Sequence, residues 1–425
     1  MIGIVKKNFL TLREELNSYT ARERAFIFFA MLCSFFVCCE YSLIRPVSSS
    51  LFISTFSAKW LPYAWLALVP FNFWVVSLYN RLIPKWGSKR LFLVLIFLVI
   101  VTNTFVALFS RKITALPFVF YMWKEIYVLL MFQLIWSVIH ANIQLKKAKY
   151  LYGIFYGIGG LGSMLGASFP SFFAVAYGSE NLIFLTLPIY LLLLFVYWKM
   201  CSYCDGDVPN QESEEKGGFL HGLKLIRGSR LLIFTLLIVV FMQMITAIVD
   251  FQFNGFIERI FSEKDVRTEY YARILGVMHS CTVVLQFLGT YMVIKWMGFR
   301  RSHYFVPFLL AFFAGLFIVF PLFPIVSLLF ISCKSLDFSV FGVVKEMLYV
   351  PLKPDEKFRA KAVIDIFAYR TSKAFASILI IAINSFVSLH MLSWLNLAIA
   401  AGWMLSVSYG LREYEKITTA QETIS

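Results

Sequence analysis

Residues 331–373 read ISCKSLDFSVFGVVKEMLYVPLKPDEKFRAKAVIDIFAYRTSK. Here Lys334, Asp337, Lys345, Glu346, Lys361, Asp365, Arg370 and Lys373 lie beside or inside two strongly apolar segments. On insertion scales a charge at the centre of a spanning helix costs roughly 2.5–3.5 kcal/mol, so such residues face a bundle interior or a water-filled cavity. In helical register Lys334, Asp337, Phe341 and Lys345 share one narrow face, and Lys361, Asp365, Tyr369 and Ser372 share another. Two polar stripes lining a wet cavity are therefore expected.

Outward from this stretch the chain is apolar almost throughout. Of its 425 residues 60% are hydrophobic and only 15% charged, and the mean hydropathy is +0.76. That composition excludes an ordinary soluble domain. Windows of the length needed to cross a hydrocarbon core recur near 26–44, 60–79, 91–109, 117–140, 152–175 and 181–198. A second set follows near 231–253, 271–294, 303–321, 325–345, 362–386 and 391–410. The expectation is an all-α membrane protein with about twelve spanning helices.

Most of the positive charge behind the net +15 sits in alternate loops, the opposite loops being poorer and Glu258–Arg273 mixing signs. Lys6, Lys7, Arg13, Arg22 and Arg24 precede the first window; Arg81, Lys85, Lys89 and Arg90 follow the second; Lys146, Lys147 and Lys149 follow the fourth. Further basic groups run from Lys199 to Arg230, from Lys295 to Arg301 and from Lys353 to Lys361, whereas 177–181, 321–324 and 385–389 contain no Lys or Arg. By the positive-inside rule both termini are cytoplasmic. The cations mark orientation, and nucleic-acid binding is not expected.

Local signals refine this. Thr20 and Glu23 have capping-box spacing before the first apolar run, so the first span begins there as a retained helix. That span ends in Glu40 and Arg45, which lie either at the outer interface or toward a cavity. Lys124 and Glu125 open the fourth span among Tyr121, Trp123 and Tyr127, in the manner of an interfacial aromatic belt. Asp250 is a lone carboxylate near the end of the seventh. Gly157–Gly162 matches G-x-G-x-x-G, but the preceding residues form a spanning pattern rather than a βαβ unit, and Gly162 with Gly166 is a small-xxx-small pair suited to close helix packing. Cys201 and Cys204 form one isolated CxxC, too little for a zinc or redox site.

The polar run Asp205–Glu215 divides the chain. At an offset of about 210 residues the basic loop Pro84–Arg90 echoes Ile294–Arg301, each a short basic loop with a Lys-Trp pair. The expected organisation is a cytoplasmic segment 1–25, a six-helix bundle 26–198, a cytoplasmic linker 199–230, a pseudo-symmetric six-helix bundle 231–411 and a tail 412–425. Two such halves in parallel describe a major-facilitator-like architecture with a substrate site near the midplane.

The string Lys345-Glu346-Met347-Leu348-Tyr349-Val350-Pro351-Leu352, then Lys357, Lys361-Ala362-Val363-Ile364-Asp365, Arg370 and Lys373, resembles the K/R-E-x-L-Y-x-P-L…K-x-x-x-K-A-x-I-D…R-x-x-K signature of the nucleotide transporters (ATP/ADP translocases) of obligate intracellular bacteria and plastids. Tyr41–Arg45 is similar to that family's Y-x-x-x-R in the first helix, Glu125 to a Glu in the fourth, and Asn142–Tyr152 to its N-x-x…A-K-x-x-Y segment. The chain departs from the pattern at two cationic positions, with Pro46 and Ser48 in the first helix and Asp250 followed by Asn254 in the seventh. Two missing lysines weaken the case for strict ATP/ADP exchange, because phosphate recognition depends on charge-assisted hydrogen bonds from Arg and Lys.

The functional expectation is alternating-access transport of an anionic small metabolite, nucleotides first, by exchange or proton-coupled uptake. The alternative is a proton-coupled carrier of another organic anion such as a siderophore, phosphate ester or carboxylate. Arg45, Lys334, Arg370 and Lys373 are the anion-binding candidates, with Tyr369 or Trp136 to stack a base. Glu40, Glu125, Asp250, Asp337 and Asp365 are candidates for coupling or charge pairing. No HExxH, Walker A string or Cys/His metal set is present, and His140, His221, His279, His303 and His390 are scattered. No catalytic residue, cofactor or metal is expected. The partners are the small anion and the lipid bilayer, and the setting is a bacterial inner membrane with the protein acting as a monomer.

Overall fold

The computed structural model describes residues 19–142, 145–204, 218–352, 360–364, 369–384 and 386–422, without the side chains of 145–154, 218–222, 288–292, 362, 369–370 and 420–422. Every regular element among them is helical. Helix α1, Ala21–Phe56, starts where the capping box places it: the Thr20 amide donates to Glu23 Oε2 at 2.8 Å, and the Glu23 amide donates to Thr20 Oγ1 at 3.2 Å. Two otherwise orphaned donors of the first turn are satisfied reciprocally.

The helices that follow are α2 (Leu61–Phe109), α3 (Leu116–Asn142), α4 (Leu145–Tyr177) and α5 (Thr186–Ser202). Next come α6 (Gly218–Gly228), α7 (Arg230–Ile260), α8 (Lys264–Val284) and α9 (Thr290–Val319). The chain closes with α10 (Phe323–Leu336), α11 (Gly342–Met347), α12 (Tyr369–Asn384) and α13 (Ser393–Glu422). Among the described residues nine helical stretches are long and apolar enough to cross a bilayer, so the chain is an integral multi-pass membrane protein. Helix α8 is not one of the nine, because its first turns carry Lys264, Asp265, Arg267, Glu269 and Arg273.

Helices α2 and α9 are each broken by one glycine. Gly87 sits at φ 70°, ψ 164° and Gly298 at φ 74°, ψ 171°, a left-handed region that only glycine occupies without strain. These are the glycines of the two Lys-Trp loops, so the faint sequence echo corresponds to one repeated backbone break.

The chain forms two compact units. One comprises residues up to Thr55, Asn72–Asn210 and Lys264–Gly276; the other comprises Phe56–Phe71, Gln211–Glu263 and Val277–Ser425. In the first, α1 to α5 bury a core of Leu43, Ile44, Val47, Leu51, Val106, Phe120, Ala174 and Ile183. Polar pairs close one end of this unit: Glu180 accepts from Arg111 at 3.1 Å and from Lys264, and Asp265 accepts from the Ser179 amide at 2.8 Å. In the second unit α7 packs against α10, α12 and α13, with Phe253 stacked on Phe330 at 4.3 Å and Phe341 set edge-on to Trp403 at 5.5 Å.

Between α10 and α11 the chain makes a π-helical turn, Asp337–Phe341. One extra residue in that turn rotates everything beyond it by about 100°, the α-helical step per residue. Phe341, expected on one face with Lys334, Asp337 and Lys345, is thereby turned onto Trp403, whereas Lys334 and Lys345 both stay within electrostatic reach of Asp337. The second expected face cannot be followed, because Asp365 lies outside the described residues, as do the side chains of Tyr369 and Arg370.

Lipid tails are as apolar as leucine, so helices within a bilayer associate by close packing rather than by exclusion from water. Helix α4 achieves this through its glycines. A Cβ on Gly162 would stand 2.2 Å from the Phe35 carbonyl oxygen, and one on Gly166 would stand 1.9 Å from that of Cys39. Backbone cannot yield as a side-chain tip can. Gly166→Ala is expected to destabilise the folded protein by about 1–3 kcal/mol, read as a lowered thermal unfolding midpoint in detergent. Gly315→Ala, whose Cβ meets nothing within 4 Å, is the control. Equal midpoints for the two variants would contradict the α1–α4 contact.

Candidate functional site

Among the described residues, each unit contains a buried group of charged side chains inside its helices. In the second unit Gln243, Thr246, Asp250 and Asn254 recur at helical spacing along α7 and are all buried. Lys334 of α10 donates to Asp250 Oδ2 at 2.7 Å, both side chains only 9% exposed. Gln243 Nε2 lies 3.2 Å from both carboxylate oxygens of Asp337, and Thr246 lies 3.3 Å from Cys333. Asn254 turns back to donate to the Asp250 carbonyl at 2.7 Å. Lys334, Lys345 and Asp250 all lie within electrostatic reach of Asp337.

Asp250, isolated in the sequence, thus finds its counter-charge 84 residues away. Lys334 finds Asp250 rather than being held by Asp337 alone. At an effective dielectric suited to protein sites a close pair gains several kcal/mol of attraction, most of it offset by the cost of removing both ions from water. The pair settles where its charges go without itself guaranteeing stability.

Nearer the motif, Lys361 donates to Glu346 at 2.6 Å and sits 5.8 Å from the Tyr349 ring centroid. Lys373 of α12 lies over the buried Trp65 ring at 4.7 Å, a cation–π contact within the same unit.

In the first unit Glu40 is wholly buried, which removes the interfacial alternative for it. Its Oε1 accepts from the Tyr127 hydroxyl at 2.7 Å and from the Tyr190 hydroxyl at 2.6 Å. Lys124, 1% exposed, lies 3.4 Å from Glu125 Oε1 and 4.4 Å from the Tyr121 ring centroid. Glu125 also accepts from the Tyr41 hydroxyl at 3.2 Å, and Tyr41 lies within electrostatic reach of Arg45.

The aromatic residues around Lys124 are therefore not an interfacial belt. Tyr121 and Tyr127 are buried, and Trp123 donates to Thr102 at 2.9 Å. Trp136 packs among other rings, its centroid 5.6 Å from His140 and 5.7 Å from Phe155.

Lys124, Tyr127, Tyr190, Asn103, Gln243 and Trp65 escape the sequence reading as site residues. Lys124 and Tyr127 carry a usable signal, one helical turn apart within an apolar run. The others become visible only through tertiary contacts.

No protein-family model matches the chain. Solved structures resemble it over nearly the full length of both chains. Nucleoside transporter NupG matches at TM-score 0.62 with 11% identity, covering 93% of this chain and 98% of the other. A D-xylose-proton symporter matches at 0.61 with 12% identity, covering 93% and 97%. The POT family transporter PepTSo matches at 0.66 with 10% identity, covering 93% and 98%. At these identities the likeness establishes the fold, which is that of the major-facilitator-type transporters.

Removing one member of a buried pair strands the other charge in an apolar setting. Lys334→Met is expected to cost about 3–5 kcal/mol, and the double variant Lys334→Met/Asp250→Asn to recover most of it. Denaturant titration of the purified protein checks this. Additive losses in the double variant would contradict the pairing.

Proposed function

We propose that this chain is an alternating-access membrane transporter of an anionic small metabolite, with nucleotides the favoured class. The observation that carries the reading is the burial of cations, Lys124 at 1% and Lys334 at 7% exposure, inside apolar helices of a transporter fold. A fold of this kind needs no interior lysines for stability, and apolar residues of similar volume serve packing as well or better. Cations kept at that cost suit an anion.

Within this reading Arg45, Arg370 and Lys373 supply positive charge to the substrate, and Tyr369 or Trp136 stacks a base. Lys334 is held by Asp250, so it joins the substrate only by exchanging partners. Glu40, Glu125, Asp250, Asp337 and Asp365 balance those cations or carry a coupling ion. The resemblance to nucleotide transporters in 345–373 supports a nucleotide, as does the nucleoside transporter among the structural likenesses. The protein acts as a monomer in a bacterial inner membrane with both termini in the cytoplasm.

A second reading, a proton-coupled carrier of a less charged organic anion, is favoured by one specific feature. The Lys334 charge is already met at 2.7 Å, and Ser48 and Asn254 stand where the nucleotide transporters carry cations.

Uptake by proteoliposomes separates the two. Labelled nucleotide is expected to enter wild-type vesicles, with Arg370→Ala and Lys373→Ala each lowering uptake roughly tenfold or more, the worth of a charge-assisted hydrogen bond. Uptake of another organic anion that follows a pH gradient and is not competed by nucleotides supports the second reading. Equal uptake by wild type and both variants contradicts the site.

A further inference from the structure

Glu40 has an asymmetric environment. Oε1 takes both tyrosine hydroxyl donors, whereas Oε2 is buried with no hydrogen-bond partner among the described residues. Asn103 Nδ2 in turn donates to the Tyr190 hydroxyl at 3.3 Å, so the donors run from α2 through α5 toward one oxygen. Tyr127 approaches the same oxygen from α3.

This is the hydrogen-bond pattern of a neutral carboxylic acid. A carbonyl oxygen accepts two donors while the other oxygen carries the proton. An ionised carboxylate divides its charge between two equivalent oxygens, and a buried one with no donor on one of them loses part of the solvation that charge requires.

The charged and titratable neighbours complete the picture. From α3 come Tyr127 and Lys124, the latter within electrostatic reach of Glu40. From α5 comes Tyr190, and from α1 itself Cys39. One step further out, Lys124 contacts Glu125, beside Tyr41, Arg45, Tyr121 and Tyr271. Glu40 and Glu125 therefore share Lys124 as the nearest buried cation. When Glu40 is neutral, Lys124 faces one carboxylate, Glu125; when Glu40 is ionised, Lys124 faces two.

We propose that Glu40 is a proton-binding site, taking one proton at Oε2 from water and returning it to water, with Lys124 as the cation shared between Glu40 and Glu125. The proposal rests on the transporter reading and names its coupling ion, since each proton bound offsets one negative charge of an anionic substrate.

The test combines pH-difference infrared spectroscopy of the full chain in lipid vesicles with uptake of labelled ATP under an inward proton gradient. The expected spectrum contains a neutral-carboxyl stretch that vanishes in Glu40→Gln. The stretch moves to higher frequency in Tyr127→Phe and in Tyr190→Phe, each of which removes one donor to Oε1. If Glu40→Gln fails to fold, the two tyrosine variants still decide. A band that persists in Glu40→Gln, or does not move in either tyrosine variant, overturns the proposal. So does gradient-driven ATP uptake that is the same in Glu40→Gln and wild type. The infrared readout needs no substrate: a wild type that takes up no ATP yet shows the expected band defeats the nucleotide reading and leaves the proton site standing.

Discussion

An ion in an apolar interior must find compensation within the protein, because neither lipid nor packed side chains can solvate it. That constraint accounts for the most closely specified contacts in this structure. Asp250 and Lys334 meet at 2.7 Å, Gln243 covers both oxygens of Asp337, and two tyrosine hydroxyls converge on Glu40. Each contact joins helices far apart in sequence, so each fixes the rotation of one helix against another.

Close packing does the remaining work. The glycines of α4 bring it against the backbone of α1 at Phe35 and Cys39, which carries Glu40 on α1 into a core shared with α3 and α5. The π turn at Asp337–Phe341 plays a comparable part in the second unit. It leaves Lys334 and Asp337 beside α7 while rotating Phe341 into the apolar contact with Trp403. A single added residue thus lets one helix present charge before the turn and an aromatic ring after it.

The sequence makes the class, most spans, the start of α1 and the two matching Lys-Trp loops legible, because hydropathy windows, capping boxes and basic loops are local signals; that each loop breaks its helix at a glycine is not marked. Lys334 and Asp337 are also recognisable as interior charges from their neighbours alone, whereas Glu40 and Asp250, near the ends of their spans, suit an interface or an interior equally. Their partners are not recognisable. Nothing near Asp250 announces Lys334, and nothing near Glu40 announces Tyr190, 150 residues on, since such pairing depends on how helices are placed. A related limit explains the face assigned to Phe341: α periodicity carries no mark of a π turn. Lys124 misleads in a different way, because aromatic neighbours at a helix start suit both an interface and a buried cation–π contact.

Lys334 is matched by Asp250 and Lys124 lies beside Glu125; under the proposed function the substrate is recognised by its negative charge. The most direct measurement compares thermal stabilisation of the purified protein by a nucleotide and by the corresponding uncharged nucleoside, at low and at high salt. A ligand bound only by the folded state raises apparent stability. The account predicts stabilisation by the phosphorylated ligand that weakens as salt screens the interaction. Stabilisation by the nucleoside equal to that by the nucleotide and indifferent to salt would contradict it.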